Sequence, residues 1–148
     1  MEIKLRKAKD EDITFLFDLR NQPSTYKYSK NNRLVEWQEH INWITPVIKG
    51  KTVKNLFVVE ADGKKAGQTR IDINGGQAEV HISLMPEFQG KGIAALAIKM
   101  AMNKIKKEKK IKIFRAEIHQ ENIPSQKMFE KLGFQFQSQK DIWKKYAL

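Results

Sequence analysis

Apolar and polar positions divide this 148-residue chain into short alternating runs and longer helical ones. Ile3, Lys4, Leu5, Arg6 and Lys7 alternate apolar and basic, as a half-buried strand does. Acids at Asp10, Glu11 and Asp12 suit the start of a helix. Ile13, Leu16, Phe17 and Leu19 then follow at helical spacing up to Arg20. Asn21, Gln22, Pro23 and Ser24 end that helix, and residues 25–32 (TYKYSKNN) show no period. Residues 35–48 predict a second helix, with Trp37, Ile41, Ile44 and Ile48 on one stripe and Pro46 expected to kink or shorten it. Three β-rich runs follow at residues 55–60, 66–74 and 78–84. Turn signals at Ala61-Asp62-Gly63-Lys64 and Asn74-Gly75-Gly76 separate them, so the third strand runs antiparallel to the second. A long helix from Ile93 to about Lys109 is apolar around most of its first half, with Lys99, Asn103 and Lys106 on a wet face. A strand at 112–118, a helix at 124–132 stopped by Gly133, and closing strands at 134–136 and 142–146 complete the chain. The order β-α-α-β-β-β-α-β-α-β-β makes one mixed α/β (α+β) domain over residues 1–148.

Composition narrows the function classes. There is no cysteine, so neither a disulfide framework nor a thiolate metal site is expected. His40, His81 and His119 have no local ligand spacing, which argues against a structural metal. The charged N-terminus lacks the apolar core of a signal peptide, and no run approaches membrane-spanning length; a cytoplasmic protein without a membrane partner is the expectation. The formal net charge of +11, from 28 Lys+Arg against 17 Asp+Glu, points to an anionic partner. The densest run, residues 104–112 (KIKKEKKIK), reads first as a solvated helix face.

The stretch that organises the chain is residues 84–102. Gln89, Gly90, Lys91, Gly92, Ile93 and Ala94 fit Q-x-x-G-x-G/A between the third meander strand and the long helix. Two glycines let the backbone turn tightly, and the helix that follows offers unpaired N–H groups and a positive dipole end. Together they make a site for a phosphate or pyrophosphate. About thirty residues further on comes Asn122-Ile-Pro-Ser-Gln-Lys-Met-Phe-Glu-Lys-Leu-Gly133-Phe134. A three-strand meander, that loop and this segment, in that order, resemble the GNAT family of acyl-CoA N-acyltransferases over essentially the whole chain.

The resemblance implies a mostly antiparallel central sheet of six to seven strands flanked by about four helices. It implies acetyl-CoA as acyl donor and no metal. Backbone groups of Ser83, Leu84 and Met85 would pair with the pantetheine arm, and those of Gln89, Gly90, Lys91, Gly92, Ile93 and Ala94 would hold the pyrophosphate. Asn122, Ser125, Lys127 and Phe129 would complete the cofactor side, with Lys127 and Lys131 reaching the adenosine phosphates. Catalysis would be direct attack of a neutral amine on the thioester, which needs a base. Alternation puts Glu79, His81 and Ser83 on one strand face. Glu79 matches the place where many family members carry a base carboxylate; His81 lies nearer the thioester; a relay of both stays open, as does structural pairing of either with Arg70 or Arg115. Many members carry a tyrosine where this chain has Phe129, so its thiolate would leave without that acid unless Ser125, Tyr146 or water serves.

Three N-terminal clusters resemble a GNAT subgroup that acetylates amino sugars on nucleotide carriers: Leu19-Arg20-Asn21, Tyr28-Ser29-Lys30-Asn31, and Glu39-His40-Ile41-Asn42-Trp43. That resemblance would put Arg20, Asn21, Tyr28, Ser29, Asn31, His40 and Trp43 around a UDP-linked amino sugar, while Trp37 reads as core packing of the second helix. Two alternatives remain: acetylation of a protein N-terminus or of a small amine such as a polyamine, and a non-enzymatic basic domain that binds nucleic acid. The last explains the charge but not the two motifs. A monomer or a homodimer is expected.

Overall fold

Seven strands carry the alternation: β1 (Ile3–Lys7), β2 (Lys54–Ala61), β3 (Lys64–Asn74), β4 (Gln77–Leu84), β5 (Ile113–His119), β6 (Gln135–Lys140) and β7 (Trp143–Ala147). In the computed structural model, which describes residues 1–148, they form one sheet in the order β1-β2-β3-β4-β5-β7-β6. Every neighbouring pair is antiparallel except β4 and β5. Five helices flank it: α1 (Ile13–Arg20), α2 (Pro23–Tyr26), α3 (Trp37–Ile48), α4 (Ile93–Glu108) and α5 (Ile123–Lys131). No helix is long and apolar enough to cross a membrane.

The two sheet faces have different covers. Phe57, Ile71, Val80 and Phe114 point to α4, whose Ile98, Ala101, Met102 and Ile105 are buried against them. Each fully buried isoleucine there contributes about 1.5–3 kcal/mol. The opposite side of α4 carries the exposed Lys99, Asn103 and Lys106. On the other sheet face, Leu56 and Val58 meet Leu16, Leu19, Ile44 and Val47 of α1 and α3. These helices cover the β2–β3 side only, so the same face of β4, β5 and β7 stays open, with Glu79, His81 and Glu117 half-buried.

A buried charge locks the start of α1. The Asp12 carboxylate accepts from Arg6 Nη1 at 2.8 Å, Arg6 Nη2 at 2.9 Å and the Lys9 N–H at 2.8 Å, and meets Lys65 Nζ at 2.8 Å. Burial alone would raise this carboxyl, but Arg6 and Lys65 outweigh it and hold it well below the usual carboxylate range.

Four expectations change. Pro23 and Ser24, expected only to end the first helix, open another, α2, a single turn that runs to Tyr26 with Pro23 at its first position, where a missing N–H costs nothing. α3 starts at Trp37 rather than residue 35, because Val35 is pinned in the preceding loop. It also runs on past Pro46 to Ile48: the proline sits in the last turn, where little helix remains to break. Trp37 is not in the core; it is 45% exposed and lies edge-on to Phe17.

Candidate active site

The site begins where β4 and β5 part. Their parallel pairing covers only Gln77↔Ile113, Ala78↔Phe114 and Glu79↔Arg115. β4 continues to Leu84 and β5 to His119, so a wedge opens between them. On the β3 side, the Met85 N–H donates to Ala66 O at 2.8 Å. Strand alternation therefore turns the Ser83 and His81 amides toward β3, and those of Ile82 and Leu84 into the wedge, where no strand meets them. The β3–β4 contact is unusually close at this end. A Cβ on Gly67 would lie 2.1 Å from Ser83 O and 2.8 Å from Leu84 Cα, so only glycine fits.

Beyond β4, the chain enters α4 through Gly90 (φ 74°) and Gly92 (φ 78°), both left-handed. The N–H groups of Gly90, Lys91, Gly92, Ile93 and Ala94 donate to no other backbone group. They sit at the positive end of a 16-residue helix. Gln89 acts through its side chain instead. Its Nε2 donates to Leu84 O at 3.1 Å and Ser24 Oγ at 3.3 Å, tying the loop to β4 and α2. On the far side of the wedge, Asn122 Oδ1 caps α5 by accepting the Ser125 N–H at 3.3 Å. Lys127 and Lys131 lie exposed along α5.

On the open face, His81 Nε2 is sealed from solvent, 3.3 Å from Asp72 Oδ2 and 3.5 Å from Glu79 Oε1, with hydrogen-bond alignment to neither. Two carboxylates around Nε2 favour the proton there and leave the lone pair on Nδ1. Asp72 also accepts from Arg70 Nε at 3.0 Å and Lys54 Nζ at 3.3 Å. Burial would raise the Asp72 carboxyl, but His81 and Arg70 prevail and keep it well below its ordinary value. Arg70 therefore pairs with Asp72 rather than with Glu79 or His81, and Arg115 donates to Gln77. Beside the cluster is a hollow of about 190 Å³ lined by Gln77, Glu79, Arg115, Glu117 and Lys145.

Residues 2–135 match the family model described as an acetyltransferase (GNAT) domain. The chain belongs to the GNAT family. It is 35% identical over 104 residues to spermidine N(1)-acetyltransferase of Escherichia coli (strain K12), covering 68% of this chain and 55% of that protein. It thus spans about half the length of the curated relatives it matches. Its fold superposes with a TM-score of 0.88 on spermidine N-acetyltransferase from Vibrio cholerae, solved in complex with CoA and spermine, at 22% identity over 99% of this chain and 94% of that one. A Salmonella typhimurium acetyltransferase that modifies the N-terminal serine of ribosomal protein L7/L12 gives 0.84 at 17% identity, over 99% and 94%.

Within this GNAT domain, several residues expected at the site are engaged elsewhere. His40 is fully buried; its ring bridges Ile13 O at 2.9 Å through Nε2 and Arg20 Nη1 at 3.1 Å through Nδ1. Burial, with Arg20 adding to it, pushes this imidazole below its usual value. Asn21 clamps Val35, accepting its N–H at 2.7 Å and donating to its carbonyl at 3.1 Å. Ser29 closes a local turn on Tyr26 and Asn32. Phe129 is 2% exposed and packs edge-on against Phe134, so it presents nothing to a ligand. Met85 spends its N–H on β3. Tyr146 is buried in the core, where burial raises its phenol. Asn31 is exposed, while Arg20, Tyr28 and Trp43 are half-buried. Both Arg20 and Arg70 lie over the Trp43 ring, at 4.9 and 5.2 Å. Sequence reasoning missed Asp72. The turn at residues 74–77 carried the signal, since it sets Asp72 opposite Glu79 and Arg70 opposite His81.

Proposed function

We propose that this GNAT domain transfers an acetyl group from acetyl-CoA to a primary amine by direct attack. The observation that carries the reading is the wedge, where β4 and β5 part beside a loop of unpartnered N–H groups. Those donors fit a diphosphate, and the wedge-facing backbone of Ile82 and Leu84 fits an extended amide-bearing arm as an added strand. Gly90 to Ala94 would hold the pyrophosphate, Asn122 Nδ2 the pantetheine, and Lys127 and Lys131 the adenosine phosphates. The thioester supplies the activated acetyl group. His81 takes the amine's proton on Nδ1, with the Asp72 and Glu79 carboxylates beside its Nε2 at 3.3 and 3.5 Å. The Leu84 N–H donates to the oxygen on which negative charge develops.

A polyamine is the leading acceptor. The 35% identity to a spermidine acetyltransferase favours it, and Glu79 at the hollow suits a second ammonium group. A nucleotide-linked amino sugar is the second reading. Its support is the Arg20–Trp43–Arg70 stack, in which Arg20 has no carboxylate partner. Asn21 and His40 no longer support it, because their bonds are spent inside the fold.

The test is calorimetry of acetyl-CoA binding, then thiol release with spermidine, a UDP-linked 4-amino-4,6-dideoxy sugar, or a basic N-terminal peptide. The chain has no thiol of its own to react with the dye. Turnover with spermidine alone is expected. Turnover with the sugar or the peptide alone reassigns the acceptor, and a protein that does not bind acetyl-CoA ends the reading.

A further inference from the structure

The buried Phe129 leaves open what meets the sulfur when the C–S bond breaks. Ser125, Tyr146 and water are the sequence-level substitutes, and Tyr146 is sealed in the core. The structure holds another group at the right level. Carrying the β4–β5 register two and four residues past Glu79↔Arg115 sets Glu117 level with His81 and His119 level with Ser83, across the wedge. His119 is thus beside the Leu84 N–H in height. It lies on the same open face as His81, since Phe114, Ala116 and Ile118 fill the other face.

Its ring is fixed on three sides. Tyr28 lies tilted against it at 5.2 Å and Trp143 stands edge-on at 5.4 Å. The His119 carbonyl accepts from Nε2 of the buried Gln126 at 3.2 Å, which anchors the end of β5 to α5. Nearby, Glu117 is paired with Lys30, whose ammonium also lies over the Trp143 ring, so neither charge is free to bind the imidazole. The Glu121 N–H donates to His119 Nδ1 at 3.1 Å. An acceptor at Nδ1 fixes the neutral tautomer with its proton on Nε2. That Nε2–H has no acceptor in the protein.

We propose that His119 is a catalytic residue that stabilises the departing CoA thiolate by donating a hydrogen bond from Nε2–H, acting as a neutral donor and not as an acid. The inference rests on acetyl-CoA being the donor, as proposed above. The balance is complete without a second proton source. The amine nitrogen forms its bond to the carbonyl carbon, the C–S bond breaks with its electron pair on sulfur, and the amine's proton goes to His81. His119 keeps its own proton throughout, as a neutral imidazole must, and sulfur leaves as a thiolate. An alkanethiol of pKa about 8.5 tolerates that near neutral pH.

The test reads the thiol of bound CoA by its thiolate ultraviolet absorbance across a pH titration, in a protein with no thiol of its own. It needs no acceptor. The variants are His119→Phe, which keeps a ring between Tyr28 and Trp143 but removes the donor, His119→Gln, which retains an N–H, and Ser125→Ala. Wild type is expected to lower the thiol pKa of bound CoA by about one unit, a tenfold shift. Phe abolishes the shift at unchanged affinity for the thiol form of CoA, Gln restores part of it, and Ser125→Ala leaves it alone. Bound CoA with the same thiol pKa in wild type and His119→Phe overturns the role of His119, as does a shift lost only in Ser125→Ala. Absence of CoA binding by wild type overturns the donor assignment and this inference with it.

Discussion

In the helical N-terminal third, Asn21, Ser29 and His40 spend their hydrogen bonds on nearby backbone and on Arg20. Along the second half of β4 and the loop into α4, backbone donors are left with nothing to bind. Both regions are rich in polar side chains, and both read from the sequence as binding sites. The difference lies in which donors and acceptors already have partners. A buried polar group normally finds a partner within the fold, so a partnered one reports on architecture and an unpartnered one on a ligand. By that criterion the wedge is the candidate site, and the Asn21–His40 region is the frame that holds Arg20 against Trp43.

The sharpest way to break the comparison is at His81. Replacing it with Ala should cut acetyl transfer about 10²–10⁴-fold, the usual worth of a positioned base. Stability should change by less than about 0.5–1 kcal/mol, because Asp72 keeps Arg70 and Lys54 as partners. Glu79→Gln should cost less, since Asp72 still faces Nε2. The check is kcat/KM beside a denaturant melt. A large stability loss with a modest activity loss would make the His81–Asp72 contact architectural, like His40.

What the sequence made readable follows the same division. Strand alternation, the glycine turns and the apolar stripe of α4 are local patterns, and each specified its element to within a residue or two, except at β6, which runs on to Lys140 beyond the expected end at residue 136. The loop before α4 was readable because glycines sit where φ is positive before the helix. Asp72 took one step more, because its role arises from pairing across the β3–β4 hairpin and shows only when the turn at residues 74–77 is used to set the register. The short α2 was hidden because one polar turn buries too little to leave a period. His40 and Asn21 misled for a related reason. Residue type shows that a side chain can bind something, whereas burial and partners show what it has already bound.

Asn21→Ala sharpens the frame side of the comparison, with a smaller effect. The substitution leaves the N–H and carbonyl of the buried Val35 without partners, at about 1–3 kcal/mol. For a domain of this size that lowers Tm by roughly 2–4 °C per kcal/mol. Acetyl-CoA affinity should stay within about twofold, since the loop N–H groups are untouched. Undiminished stability with a raised acceptor KM would return Asn21 to the binding surface.

The smallest effect is a pH slope at His40. Its folded pKa lies below the ordinary value near 6.5, because burial and Arg20 disfavour the imidazolium. The sign follows from linkage. Between that ordinary value and the lower folded one, the unfolded chain binds a proton that the folded chain refuses, so stability is full above about pH 6.5 and falls as the solution is acidified. The slope from this one group is at most about 1.4 kcal/mol per pH unit. Protonation would also put a second N–H on Nδ1, facing the Arg20 guanidinium that now donates to it. A His40→Gln variant should therefore be less stable than wild type at pH 8 yet lose less on going to pH 5. Urea melts across that range decide it: equal losses in the two proteins would mean that His40 is not held neutral, and that the imidazole is available to a ligand after all.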